Sequence, residues 1–187
     1  MALSQRAPQV LSPGRAARTT HEEIRRFTVA GILLGIGLGG FVDGIVLHQV
    51  LQWHHMLTST GEHPATTVAG LETNTLWDGL FHAAAWLATV AGVVLLVRAG
   101  LRVAPLRLAG LMLAGWGSFN LVEGTIDHHV LGIHHVRAGD AQWAYDAGFL
   151  LLGAALLVGG LALARRAERA GCDPRASPAT GERRRGA

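Results

Sequence analysis

The chain has 187 residues, half of them apolar and only 16% charged, and its single cysteine, Cys172, excludes an intrachain disulfide and a cysteine-based zinc site. Sixteen arginines and no lysine give a calculated pI near 10.4. Such basicity ordinarily points to nucleic acid or a membrane surface, but these arginines avoid the apolar runs, so nucleic acid is not expected and the charge reads as a topology signal.

Residues 1–24 form a basic tail rich in Arg, Ala, Ser and Pro, expected to be disordered. The first apolar run begins near Phe27 and outlasts the roughly 7–15 residues of a signal-peptide core, so a cleaved leader is not expected. The domain spans residues 25–165 and holds four segments near the roughly 20 residues needed to cross a bilayer as helix. They cover about 27–51, 76–97, 106–131 and 143–164. Gly31, Gly35 and Gly39 give the first a small-residue face for close helix approach, and such faces are also compatible with a homo-oligomer. A soluble bundle would need a polar stripe on each helix, and none is present. Residues 166–187 repeat the basic composition of the first tail. The fold expected is all-α, an integral membrane four-helix bundle in a lipid bilayer.

Fifteen of the sixteen arginines lie before the first segment, between the second and third, or after the fourth. Only Arg137 falls in the other two loops. By the positive-inside rule both termini are cytoplasmic, and a bacterial inner membrane with N-in/C-in topology is expected. Trp53, Trp77 and Trp143 fall at the outer helix ends as an aromatic belt, while Trp86 and Trp116 lie deeper, as packing residues.

One stretch occurs twice, 80 positions apart: Phe41 to His55, and Leu121 to His135. Asp43/Glu123, Gly44/Gly124, His48/His128, His54/His134 and His55/His135 fall in matching slots. Tyr145-Asp146 likewise echoes Trp77-Asp78. The architecture read from this is a duplicated helical hairpin, two plus two, with every intramembrane ionisable residue in its outer half.

Asp, Glu and His inside a membrane cost several kcal/mol unless paired or wetted, so they point inward and mark function. At about 100° per residue, each repeat offers an acid column with His54 or His134, and a separate histidine column about 140° away holding His48 or His128. Imidazoles and carboxylates are the ligands of iron, copper or zinc. The candidate metal ligands are His48, His55, His82, His128, His135 and Glu123. Asp43, Asp78, Asp127 and Asp146 serve as orienting partners or extra ligands. Taken singly, His54, His55, His134 and His135 also have a blander reading, at headgroup level and solvated, and His129 falls on the opposite side of its helix.

The two repeats, with Asp78-Gly79-Leu80-Phe81-His82 and Gly115-Trp116-Gly117, resemble a family of bacterial predicted membrane proteins, DUF2243, over roughly residues 25–165. The resemblance implies a multi-pass membrane protein and no particular activity. The functions compatible with the residues are a membrane oxidoreductase using iron or copper, a protein that loads or passes copper or zinc, and bis-histidine haem ligation through His48 and His128. A structural or proton-handling network is the remaining reading. A through-membrane ion path is not expected, because the other half of the bundle is apolar.

Overall fold

The computed structural model describes residues 13–100 and 104–171, with side chains described from residue 21. The described residues form four helices and no strand. Helix α1 (Pro13–Val42) passes without a break into a π-helical stretch, Asp43–Val50. Helix α2 covers Val68–Ala99, and α3 (Pro105–Glu123) runs on as a second π-helical stretch, Gly124–Val130. Helix α4 covers Gln142–Gly171. Thr67 caps α2 by accepting from the Gly70 amide at 3.1 Å, Gly100 ends it in the left-handed region at φ 65°, and Pro105 opens α3.

Helix α1 packs on α2 and α3, and α3 packs on α4, so α1 and α3 are central and α2 and α4 flank them. Glycine sets the central crossing. A Cβ on Gly35 would stand 2.9 Å from Gly115 Cα, and one on Gly115 would stand 3.0 Å from Ile32 Cα. Gly31 meets Leu111, and Gly39 meets Trp116 and Phe119, so the small-residue face of α1 is its contact with α3. Gly37 sits against Ala85 of α2, and Gly117 against Gly153 and Leu157 of α4.

The burial pattern is that of a protein dissolved in hydrocarbon. Its buried set includes Asp43, His48, His54, Asn74, Asp78, Asn120, Glu123, His128, His134 and Asp146, while Leu76, Leu80, Leu87, Val97, Leu151 and Val158 are exposed. Three helices are long and apolar enough to cross a membrane: His21–Val50, Val68–Ala99 and Gln142–Ala170. The third expected span, α3, falls short because Arg107, Asn120 and three glycines dilute its apolar run. Trp116 packs as expected, against Gly39, but Trp86 is mostly exposed and faces outward from α2.

The two ends of the bundle differ. At the end where the chain begins, Phe27, Ala99, Leu111 and Ala164 form an apolar cluster. The Arg107 guanidinium lies over the Phe27 ring there, and its Nη2 is 3.5 Å from Glu168. At the other end α1 and α3 finish, α2 and α4 begin, and the polar residues gather. Helix α1 starts at Pro13, inside the stretch read as a tail; α2 starts at Val68, before its expected span, and α4 runs on past its own to Gly171.

Candidate metal centre

The centre is built where the two central helices widen. In a π-helix the hydrogen bond spans five residues, which brings residues five apart onto one face instead of about 140° apart. His48 is five residues after Asp43, and His128 five after Glu123. The widening accordingly brings His48 Nε2 to 3.2 Å from Asp43 Oδ2 and His128 Nε2 to 3.1 Å from Glu123 Oε1. The two columns expected from α-helical spacing collapse into one.

Each π-helical stretch ends in a tight reversal. Trp53 N bonds Leu47 O at 2.9 Å and Ile133 N bonds Asp127 O at 3.0 Å, with Gln52 at φ 49° and Gly132 at φ 59° in the left-handed region. The chain then turns back toward the bundle, so His54 and His134 are buried, at 4% and 0% exposure, instead of solvated. The returning segments interlock. His54 Nδ1 donates to Val136 O at 2.9 Å, His134 Nδ1 to Met56 O at 3.3 Å, and Ser59 N to Ile133 O at 3.0 Å.

Those partners fix the tautomers. A carbonyl only accepts, so Nδ1 of His54 and of His134 carries a proton, and a ring that is neutral then presents a lone pair at Nε2. His48 Nδ1 likewise donates to Asp78 Oδ1 at 2.9 Å, and His128 Nδ1 lies 3.2 Å from Asp146 Oδ1. The inward nitrogens then face other lone pairs. His134 Nε2 is 2.7 Å from Glu123 Oε1, and His48 Nε2 faces Asp43. A proton or a metal cation has to be shared across such contacts. His54 Nε2, His48 Nε2, Asp43 Oδ2 and Glu123 Oε2 are buried without an aligned hydrogen bond, each at a cost of about 1–3 kcal/mol. Burial, with His48 and His134 close by, pushes the His54 imidazole down to about 3 and keeps it neutral.

Two groups, His48–His54–His134 and Glu123–His128–His134, each have ligand atoms within 4.8 Å of one another and could hold a metal ion. His134 belongs to both. The His54 and His134 rings stack at 4.8 Å, and the His48 and His128 rings flank them at 4.4 and 5.0 Å. Glu123 reaches two histidines, whereas Asp43, one methylene shorter, reaches only His48.

Of the residues singled out in the sequence, His48, His128 and Glu123 stand in these groups, with Asp43 at their edge. His55 and His135 lie outside: their Nδ1 atoms donate to Asp78 Oδ2 at 2.6 Å and Asp146 Oδ2 at 2.8 Å. Asp78 also accepts from Met56 N, and Asp146 from Val136 N, both at 3.0 Å, so the two acids hold the imidazoles from behind. His82 turns away, its Nδ1 donating to Asp78 O at 2.7 Å and its ring lying beside Phe41 and Phe81. Asp127 lines a side cavity next to Glu123. His129 donates to Gly124 O, outside both groups. The residues that α-helical spacing missed are His54 and His134. The signal available for them was Gly132, a helix-ending glycine just before His134.

A mouth cavity of about 430 Å³ between the returning loops is lined by His54, His55 and His135. Beside it Arg137 lies over the Trp53 and Tyr145 rings and donates to Tyr145 Oη at 3.0 Å.

The family described as "Predicted membrane protein (DUF2243)" matches residues 30–167, which include every residue of the centre. The chain belongs to that family. No curated protein and no solved structure matches this DUF2243 chain.

Proposed function

We propose that this DUF2243 protein is a duplicated two-plus-two hairpin that spans the bacterial inner membrane four times, N-in and C-in, and binds a transition metal at its outer end. The observation that carries the metal reading is the orientation of four imidazoles. His48, His54 and His134 each donate Nδ1 to a carboxylate or a backbone carbonyl, His128 Nδ1 lies near Asp146 without an aligned hydrogen bond, and all four turn Nε2 to the interior. Metal-ligating histidines are held in that way. Glu123 adds a carboxylate, and a nitrogen-rich set with one oxygen suits iron, copper or zinc. Duplication is supported by the matched contacts: Asp43–His48 with Glu123–His128, and Met56–Asp78 with Val136–Asp146.

The mouth cavity favours a metal-handling role, because it leads from the outer loops to His54. Membrane oxidoreduction is the second reading, favoured by two apolar side cavities that reach Asp43 and Glu123. Haem ligation between His48 and His128 does not fit. The His54 ring lies 4.4 Å from His48 and 6.4 Å from His128 and fills the gap a porphyrin would need.

Elemental analysis of detergent-purified protein, followed by electron paramagnetic resonance, tests both readings. Stoichiometric zinc, or copper that an external chelator strips rapidly, supports handling; tightly held iron or copper that cycles between oxidation states supports oxidoreduction. Absence of metal after growth with each of the three ions would refute both.

A further inference from the structure

We propose that the mouth cavity is a second metal site, where His55 and His135 take an arriving zinc or copper ion before it passes inward. The inference rests on the metal-handling reading and adds the route by which the centre fills. The cavity, about 430 Å³, is walled by His55 and His135 from the two returning loops, and by His54. His55 and His135 keep 12% and 20% of their side-chain surface open, against 0% and 1% for His48 and His128. Among the described residues no hydrogen bond reaches Nε2 of either outer ring, and neither atom is buried.

The outer rings are oriented as ligands are. Asp78 accepts from His48 Nδ1 at 2.9 Å through Oδ1 and from His55 Nδ1 at 2.6 Å through Oδ2. In the second half, His135 Nδ1 donates to Asp146 Oδ2 at 2.8 Å, and His128 Nδ1 lies 3.2 Å from Oδ1. Each carboxylate thus stands between an inner and an outer imidazole. A neutral outer ring with Nδ1 engaged in this way offers its lone pair at Nε2. Fastening a loop does not need an imidazole. Asn74 fastens the first loop with an amide, accepting from Leu57 N at 2.9 Å and donating to His63 O at 2.8 Å.

The donor atoms select the ion. Imidazole nitrogen suits zinc or copper, whereas magnesium and calcium take oxygen. Two imidazoles at most, with water completing the shell, hold such an ion weakly enough to release it. His54 joins the two sites: its ring walls the mouth and belongs to the inner group with His48 and His134.

The test is titration of the metal-free full chain in detergent with zinc, for the wild type, His55→Gln/His135→Gln and His54→Ala/His134→Ala. Glutamine keeps a donor for Asp78 and Asp146 but supplies no zinc-binding nitrogen. The wild type should bind a weaker, rapidly exchanging ion beyond the one held tightly. The glutamine pair should lose the weak ion, keep the tight one, and fill it roughly tenfold or more slowly at micromolar zinc, because capture at the mouth raises the local concentration. The alanine pair should lose the tight ion and keep the weak one. Equal ion counts and filling rates in the wild type and the glutamine pair would overturn the proposal. Loss of the tight ion in the glutamine pair would overturn it too, by making His55 and His135 part of the centre. A weak ion without a tight one in the wild type would count against the centre and leave the mouth site standing, and no zinc in any chain would overturn both. Should the glutamine pair fail to insert, zinc must shield His55 and His135 of the wild type from diethyl pyrocarbonate, read by peptide mass spectrometry, and unshielded rings would overturn the proposal.

Discussion

Gln52 and Gly132 occupy the same turn, yet only one is suited to it. A left-handed conformation costs a residue with a Cβ roughly 1–2 kcal/mol, so Gly132→Val is expected to lower stability by about that amount, and Gln52→Gly to raise it by up to about 1 kcal/mol. Thermal unfolding in detergent reads both. Equal effects of either sign would mean the turns are not strained as described. Behind the imidazoles, Asp78→Asn and Asp146→Asn should weaken metal binding by roughly 10–100-fold without abolishing it, as loss of an orienting carboxylate does. Competition with a chromophoric chelator measures this; unchanged affinity would remove the two acids from the centre. At this scale the residue types were legible in the sequence and their assignments were not. His55 and His135 sit one position from His54 and His134, and only the left-handed turn decides which of each pair is buried.

The π-helical stretches are the elements on which the centre depends. Their sequences, Asp43–Val50 and Gly124–Val130, carry no proline or obvious break, so α-helical periodicity was the natural reading and it split Asp43 from His48. What forces the wider turn is convergence: two acids and two imidazoles find partners only when residues five apart align. The glycine face was legible, because Gly31, Gly35 and Gly39 at four-residue spacing share one side of α1, and that side meets α3. Gly35→Leu is expected to destabilise the α1–α3 crossing by about 1–3 kcal/mol or more, because backbone atoms of Met112 and Gly115 leave no room for a side chain. A Gly79→Leu change should cost little, as nothing lies within 4 Å of that position. Similar losses at both sites would contradict the packing described.

Over the whole molecule, buried carboxylates and imidazoles with exposed leucines and valines fit a protein whose solvent is lipid. Three of the four spans expected from hydropathy are long and apolar enough among the described residues to cross a membrane, and α3 is not. The proposed orientation predicts that reporters fused at residue 1, within 100–104 and at residue 187 are all cytoplasmic, and that one at Gly61 is outside. Paired phosphatase and fluorescent-protein fusions check this, and an active phosphatase at either terminus would reverse it. The measurement closest to the central claim is metal per chain in the wild type against His54→Ala/His134→Ala, with His55→Ala/His135→Ala as comparison. The account predicts near-stoichiometric iron, copper or zinc that is lost in the first double variant and largely kept in the second. Metal retained without His54 and His134, or lost equally in both, would contradict it.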